Sequence, residues 1–244
     1  MFTLVRGFFY VHNYPKPDAS YNPFVTVVVP AWNEEVGIRK TVESVLKSTY
    51  KNLEIIVIND GSKDNTRHIV EKIVSANNGK VRLLNQENKG KFEALNNGIR
   101  HAKGEIVVTI DGDSYIYPDG VQYLVEGLSD QKYDATVGKI IVGKPDSNGI
   151  TKPMNLLGII QFFEYMFGYH MKKTQHNNNS IYILPGAFAA IRKSAIEKAG
   201  YYEGYSKTED FDISMKLRMN GSKISYIDAA LCVTEGAPDM KGLI

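Results

Sequence analysis

With 244 residues, 43% of them hydrophobic, the chain is long enough for one large α/β domain or two small ones around a substantial core. Its 29 basic and 27 acidic residues leave a net charge of +2 without basic blocks, which argues against a nucleic-acid partner. Cys232 is the only cysteine, so an intrachain disulfide framework or a cysteine-rich zinc site is excluded and a reducing, cytoplasmic setting fits best.

The first residues are apolar from Phe2 to Val11, but Arg6 and Gly7 interrupt them and no small-residue cleavage site follows. We read residues 1–23 as an arm packed on a domain that spans 24–244, the alternative being a segment that lies at a membrane surface or leads out of a preceding one. No stretch approaches the roughly 20 apolar residues of a membrane-spanning helix. After Pro15, Pro17 and Pro23, the β-branched run Phe24 to Val29 predicts a buried strand ended by Pro30. Ile38, Val42, Val45 and Leu46 then recur at helical spacing. The alternation continues with a strand from Leu53 to Ile58, a helix from Asn65 to Ala76, a strand from Val81 to Asn85, a helix from Lys91 to His101 and a strand from Ile106 to Ile110. It predicts a mostly parallel central sheet with right-handed helical crossovers, and ligands outside the carboxyl ends of the strands.

Farther on, Val121 to Leu128 reads as a short helix, Ala135 to Val142 as a strand and Gly143 to Thr151 as a loop. Leu156 to Met171 is a long helical candidate, apolar on most of its surface, with Phe162, Phe163, Tyr165, Met166, Phe167 and Tyr169. Asn177 to Asn179 reads as a loop. His101, His170 and His176 lack the spacing of metal ligands and are taken as surface or packing residues.

The chemistry gathers at the strand ends. Pro30-Ala31-Trp32-Asn33-Glu34-Glu35, Asn59-Asp60-Gly61-Ser62-Lys63-Asp64, Asn88-Lys89-Gly90-Lys91 and Asp111-Gly112-Asp113 follow the first four strands and would converge on one crevice. Singly, each suits ordinary turn and cap chemistry, with Asp64 as a helix cap and Gly61 and Gly90 in turns. Jointly they suggest a site. Asp111 and Asp113 would repel each other without a cation, and a hard divalent ion such as Mg²⁺ relieves that repulsion while leaving room for phosphate oxygens. Thr208-Glu209-Asp210 reads as a helix start with Thr208 as cap, which would also hold a carboxylate rigidly.

In order, Val27-Val28-Val29-Pro30-Ala31-Trp32-Asn33-Glu34, Asn59-Asp60-Gly61-Ser62, Gly90-Lys91 with Ala94-Leu95-Asn96, Asp111-Gly112-Asp113, Pro185-Gly186 and Thr208-Glu209-Asp210 resemble the family 2 glycosyltransferases. Gln161-Phe162-Phe163-Glu164-Tyr165 is similar to the catalytic domain of processive membrane polysaccharide synthases of the chitin, hyaluronan, cellulose and poly-N-acetylglucosamine type. The resemblance implies a GT-A nucleotide-diphospho-sugar transferase fold, with residues 24–113 as the nucleotide-binding half and 114–244 as the acceptor and catalytic half. It implies an inverting, Mg²⁺- or Mn²⁺-dependent transfer of a hexose or N-acetylhexosamine from a UDP-sugar to a saccharide or lipid-linked acceptor.

Position by position, the resemblance places Pro30, Ala31, Asn33 and Glu34 around the uridine, Asp60 on the uracil and Lys91 near the diphosphate. Asp111, Gly112 and Asp113 would bind the donor, and Asp111 and Asp113 its metal. Gly186 and Arg192 would lie near the acceptor, with Asp210 as general base and Glu209 beside it. Such synthases continue into a closing motif with Arg-Trp and into membrane helices, whereas Trp32 is the only tryptophan here. That departure leads us to expect a domain of a longer protein on the cytoplasmic face of a membrane, or a short form. The alternative is a UDP-sugar-binding module without catalysis. A sugar nucleotidyltransferase ranks far behind, because Pro30 to Glu35 lacks a glycine-rich phosphate loop.

Overall fold

The computed structural model describes residues 20–77, 79–145, 151–152, 156–178, 180–204 and 208–234. Most of the expected N-terminal arm, the centre of the expected 143–151 loop, Asn179 and the chain after Thr234 lie outside the described residues.

Four parallel strands form one half of an eight-stranded sheet: β1 (Val25–Ala31), β2 (Leu53–Asp60), β3 (Val81–Gln86) and β4 (Ile106–Ile110). The sheet order is β3-β2-β1-β4-β9-β6-β10-β5, in which β5 is Ser114–Ile116, β6 Ala135–Val142, β9 Phe188–Arg192 and β10 Ile224–Thr234. A two-stranded ladder pairs β7 (Lys144–Pro145) with β8 (Thr151–Lys152). β1, β2 and β4 are buried along their whole length, which is why they read as unbroken Val and Ile runs rather than alternating patterns. The edge strand β3 carries Arg82, Asn85 and Gln86 and is only partly covered.

Helices α1 (Ile38–Leu46), α2 (Thr66–Ala76) and α3 (Lys91–Arg100) are the crossovers between the first four strands. Val42 and Val45 of α1 and Val70 and Ile73 of α2 face the core. Their expected positions hold to within a residue or two. One difference is informative: β1 runs through Pro30 to Ala31, which pairs with Asn59. Its pairing with β4 stops at Val28, so beyond that point β1 has one neighbour and a residue without an N–H costs little.

The second half departs from parallel order. β9 lies antiparallel between β4 and β6, with Ile110 opposite Phe188 and Ile106 opposite Arg192. β10 pairs parallel with β6 and is irregular between Tyr226 and Leu231. The helices here are α4 (Gly120–Glu126), α5 (Leu156–Asn177), α6 (Lys193–Ala199) and α7 (Glu209–Met219). α5 runs six residues past the expected Met171, because its last turns are anchored: Lys173 Nζ meets Asp228 at 2.7 Å, and Tyr169 stacks on Tyr226 with ring centroids 6.2 Å apart. Its other side exposes Ile160, Phe163 and Phe167. Among the described residues no helix is long and apolar enough to cross a membrane.

Candidate functional site

The loops after β1 and β2 are built to grip each other. Asn33 sits at φ 57° and its Oδ1 accepts from Lys63 N at 2.8 Å, while its own N–H donates to Ser62 Oγ at 3.0 Å. Glu34 N donates to Thr66 Oγ1 at 2.7 Å, and Glu35 N donates to Asp64 Oδ2 at 3.0 Å. Asp64 Oδ1 also accepts from Thr66 N at 3.0 Å, so Asp64 ties the loops together, while the N-cap position of α2 falls on Asn65 rather than on the expected Asp64. Gly112 presses on this assembly. A β-carbon there would stand 2.9 Å from Glu34 Cγ and 3.1 Å from Pro30 O, so only glycine lets the strand end approach so closely.

Asp60, at the end of β2, is buried and holds the next loop. Its Oδ1 accepts from Gln86 Nε2 at 2.8 Å and Lys89 N at 2.9 Å, and its Oδ2 accepts from Gly90 N at 3.0 Å. Gly90, at φ 90°, is the N-cap position of α3, so these bonds fix where Lys91 begins its helix. A cavity of about 480 Å³ opens between the loops, lined by Pro30, Ala31, Trp32, Glu34, Asp60, Lys91, Asp111, Gly112 and Asp113 among others.

Lys91 reaches from the first turn of α3 into a group of acids. Its Nζ lies 2.8 Å from Asp111 Oδ1 and 3.3 Å from Glu209 Oε1, and the charges of Asp111 and Asp210 help hold its ammonium well above the ordinary lysine range, against the desolvation that burial imposes. The contact joins the end of β4 to the start of α7. Burial, then the charge of Asp111, pushes the Asp113 carboxyl above its usual value. That residual repulsion fits the donor chemistry of a cation site. Among the described residues no group of three or more His, Cys, Asp and Glu side chains assembles as a ready-made metal site. Asp111 and Asp113 offer hard oxygen donors, and a cation there would need further oxygens from outside this pair.

A second cavity of about 350 Å³ shares Asp111 with the first and is lined by Asp210, Gly186, Tyr165, Tyr169 and Lys172 among others. Asp210 Oδ2 accepts from Gly186 N at 2.9 Å, and Oδ1 is buried without a hydrogen-bond partner. Burial raises the Asp210 pKa to about 6, against the lowering effects of Lys91 and the Gly186 N–H. Lys172 has its pKa lowered to about 8 by burial alone.

The structure thus brings Pro30, Ala31, Glu34, Asp60, Lys91, Asp111, Gly112 and Asp113 to the first cavity and Gly186 and Asp210 to the second, with Glu209 on Lys91. Asn33 does not line the first cavity and instead bonds Ser62 and Lys63 in the loop after β2. Arg192 is not brought to either. It faces Ile106 at the opposite end of β4, four residues or roughly 13 Å of strand from Ile110. There its guanidinium donates to Leu128 O at 2.6 Å, Tyr133 O at 3.2 Å and Tyr21 Oη at 2.9 Å, a structural clamp. Sequence reasoning did not single out Lys172 or Ser214. Ser214 lies four residues after Asp210, a spacing that places both on one helix face.

A model of glycosyl transferase family 2 matches residues 26–200. The poly-beta-1,6-N-acetyl-D-glucosamine synthase of Staphylococcus aureus (strain COL) is 34% identical over 221 residues, covering 89% of this chain and 52% of that protein. The synthase of the same name from Staphylococcus epidermidis is 34% identical over 210 residues, covering 85% and 49%. The chain spans about half the length of these curated relatives. Among solved structures, a mannosyltransferase from Pyrobaculum calidifontis in complex with GDP-Man and Mn²⁺ superposes with a TM-score of 0.77 at 24% identity, over 98% of this chain and 64% of that one. Staphylococcus aureus TarS 1–349 in complex with UDP-GlcNAc gives 0.66 at 20% identity, over 90% and 60%. At such identities the structural likeness speaks for the fold. Because the family model spans β1 to the end of α6 and the synthases align over most of the chain, this protein belongs to glycosyl transferase family 2 and has the GT-A fold.

Proposed function

We propose that the chain is the catalytic domain of an inverting, metal-dependent glycosyltransferase that moves an N-acetylhexosamine or hexose from a UDP-sugar to a saccharide acceptor in polysaccharide synthesis. The observation that carries this reading is the meeting of two cavities at Asp111, one walled by strand-end loops and Lys91, the other by Asp210. The likeness to poly-beta-1,6-N-acetyl-D-glucosamine synthases supports N-acetylglucosamine as the transferred sugar and a β-1,6-linked N-acetylglucosamine chain as the acceptor, and the fold shared with a transferase that binds UDP-GlcNAc is in keeping with a UDP-linked donor.

In this reading the nucleoside lies against Pro30, Ala31, Glu34 and Asp60, and the diphosphate extends toward Lys91 and Asp111. Lys91 offers a fixed positive charge where the leaving group gains negative charge. A Mg²⁺ or Mn²⁺ ion held by Asp111 and Asp113 would add Lewis-acid stabilisation of that charge. From the second cavity the acceptor hydroxyl oxygen attacks the anomeric carbon as its bond to the β-phosphate oxygen breaks. The hydroxyl proton passes to Asp210, and UDP leaves with the bonding electrons. Attack from the face opposite the leaving group inverts an α-linked donor to a β-linked product. A pKa near 6 suits the base, since Asp210 is ionised at neutral pH yet more basic than an exposed carboxylate.

The test is transfer from UDP-N-acetylglucosamine to β-1,6-linked N-acetylglucosamine oligosaccharides with Mn²⁺ present, with products read by mass spectrometry and anomeric coupling by NMR. β-linked extension by the wild type is expected, and Asp210→Asn is expected to lose about 10²–10⁴-fold in turnover while still binding UDP. UDP binding with no transfer to any acceptor would instead identify a binding module.

A further inference from the structure

We propose that Gly186 is a positioning residue for Asp210, its backbone N–H and its lack of a side chain together setting the direction of the carboxylate. The inference rests on Asp210 being the base. Three observations carry it. The Gly186 N–H donates to Asp210 Oδ2 at 2.9 Å, so one oxygen is held by the main chain of the opposite segment. A β-carbon on Gly186 would stand 2.8 Å from both Asp210 Cγ and Oδ2 and closer still to Oδ1, so the carboxylate fills the space that any other residue would need. Gly186 has no left-handed φ, so what requires glycine is this contact rather than the local backbone.

A staple two residues away adds to them. Ser214 is fully buried on α7, where its Oγ donates to Asp210 O and accepts from Leu184 N at 2.8 Å. The segment Leu184 to Gly186 is therefore tied twice to the first turns of α7, once through Ser214 and once through the carboxylate itself. Gly186 thus places both oxygens, Oδ2 through its N–H and Oδ1, which is buried without a hydrogen-bond partner, in the space that a β-carbon would take. An orientation error of about 1 Å in a reacting group can cost about 10²-fold in rate. The charges that act most on Asp210 are Lys91, Glu209 and Asp111; Tyr202 is coupled to it as well, and Glu164, Tyr165 and Lys172 line the same cavity, but among the described residues none of these side chains hydrogen-bonds its carboxylate. The orientation is left to Gly186.

Gly186→Ala is the test, measured in the transfer assay beside Asp210→Asn and the double variant. We expect Gly186→Ala to lower kcat by about 10²-fold with KM for the UDP-sugar unchanged, and to add nothing further in the Asp210→Asn background. Because the N–H favours the ionised carboxylate, the acid limb of kcat/KM in Gly186→Ala should also move to higher pH. Ser214→Ala, which leaves Gly186 itself intact, should show the same split of kcat against KM in milder form. Wild-type turnover in Gly186→Ala, or an equal loss in both backgrounds, overturns the proposal. Wild-type turnover in Asp210→Asn overturns the assignment of the base instead.

Discussion

Asp210 shows how position changes a residue's chemistry. An acid in the first turn of a helix is expected to be favoured in its ionised form by the helix dipole. Burial outweighs that here and moves the pKa from 3.8 to about 6. If the ionised form is the base, kcat/KM should fall about tenfold per pH unit below pH 6, in a profile taken with saturating metal. The same shift acts on stability. Between roughly pH 4 and 6 the folded protein binds more protons than the unfolded chain, so stability falls as pH rises through that window and stays lower above it. Asp210→Asn removes the penalty and is expected to gain about 1–3 kcal/mol at pH 7.5 and nothing at pH 4, read from urea midpoints. Equal gains at both pH values would place the effect elsewhere. The sequence displayed the carboxylate; its environment comes from Gly186 and Lys91, which are distant along the chain.

At the scale of elements, the parallel half was legible because β1, β2 and β4 are buried along their whole length and all four of its strands are flanked by turn residues, leaving little ambiguity between strand and helix. β9 was not. Phe188–Arg192 is five residues with two alanines, and what makes it a strand is the open slot between β4 and β6 rather than its own propensity. Likewise Lys172, Lys173 and Thr174 look like a helix end, but contacts to β10 carry α5 onward. Two glycines separate these influences experimentally. Gly98 lies on α3, where a β-carbon would stand 2.5 Å from Val28 Cγ1 and 2.7 Å from Ile58 Cδ1 on the sheet. Gly168 lies on α5, with nothing within 4 Å of such an atom. Alanine raises helix propensity by about 1 kcal/mol at both, but overpacking at Gly98 costs about 1–3 kcal/mol. Gly98→Ala should therefore leave the protein no more stable or less stable, and Gly168→Ala should stabilise it, in denaturant titrations. Stabilisation by both would mean that α3 has room to move off the sheet.

Across the whole molecule, the proposed site draws on Lys91, Asp111, Gly186 and Glu209-Asp210, and only the first two belong to the half whose order was readable. Arg192, expected beside them, follows β9 to the far end of the sheet, because antiparallel pairing with β4 reverses the direction in which that strand runs. Distance along a sequence of motifs does not say which sheet edge each one reaches. The first cavity, in contrast, is walled by the ends of β1, β2 and β4 together with the start of α3, so a ligand seated there bridges several elements of the sheet half. A ligand that binds only the folded state stabilises it by about 2.7 kcal/mol at 100 times its Kd. UDP should therefore raise the melting temperature of the wild type, and UDP with Mn²⁺ should raise it further, since Asp113 retains a repulsion that a cation relieves. Asp113→Asn should keep the rise given by UDP alone and lose the increment from Mn²⁺. Asp210→Asn, on the other cavity, should keep both increments relative to its own baseline. If Asp113→Asn retained the full Mn²⁺ increment, the cation would have to sit away from the Asp111–Asp113 pair, and Lys91 would remain as the charge facing the diphosphate.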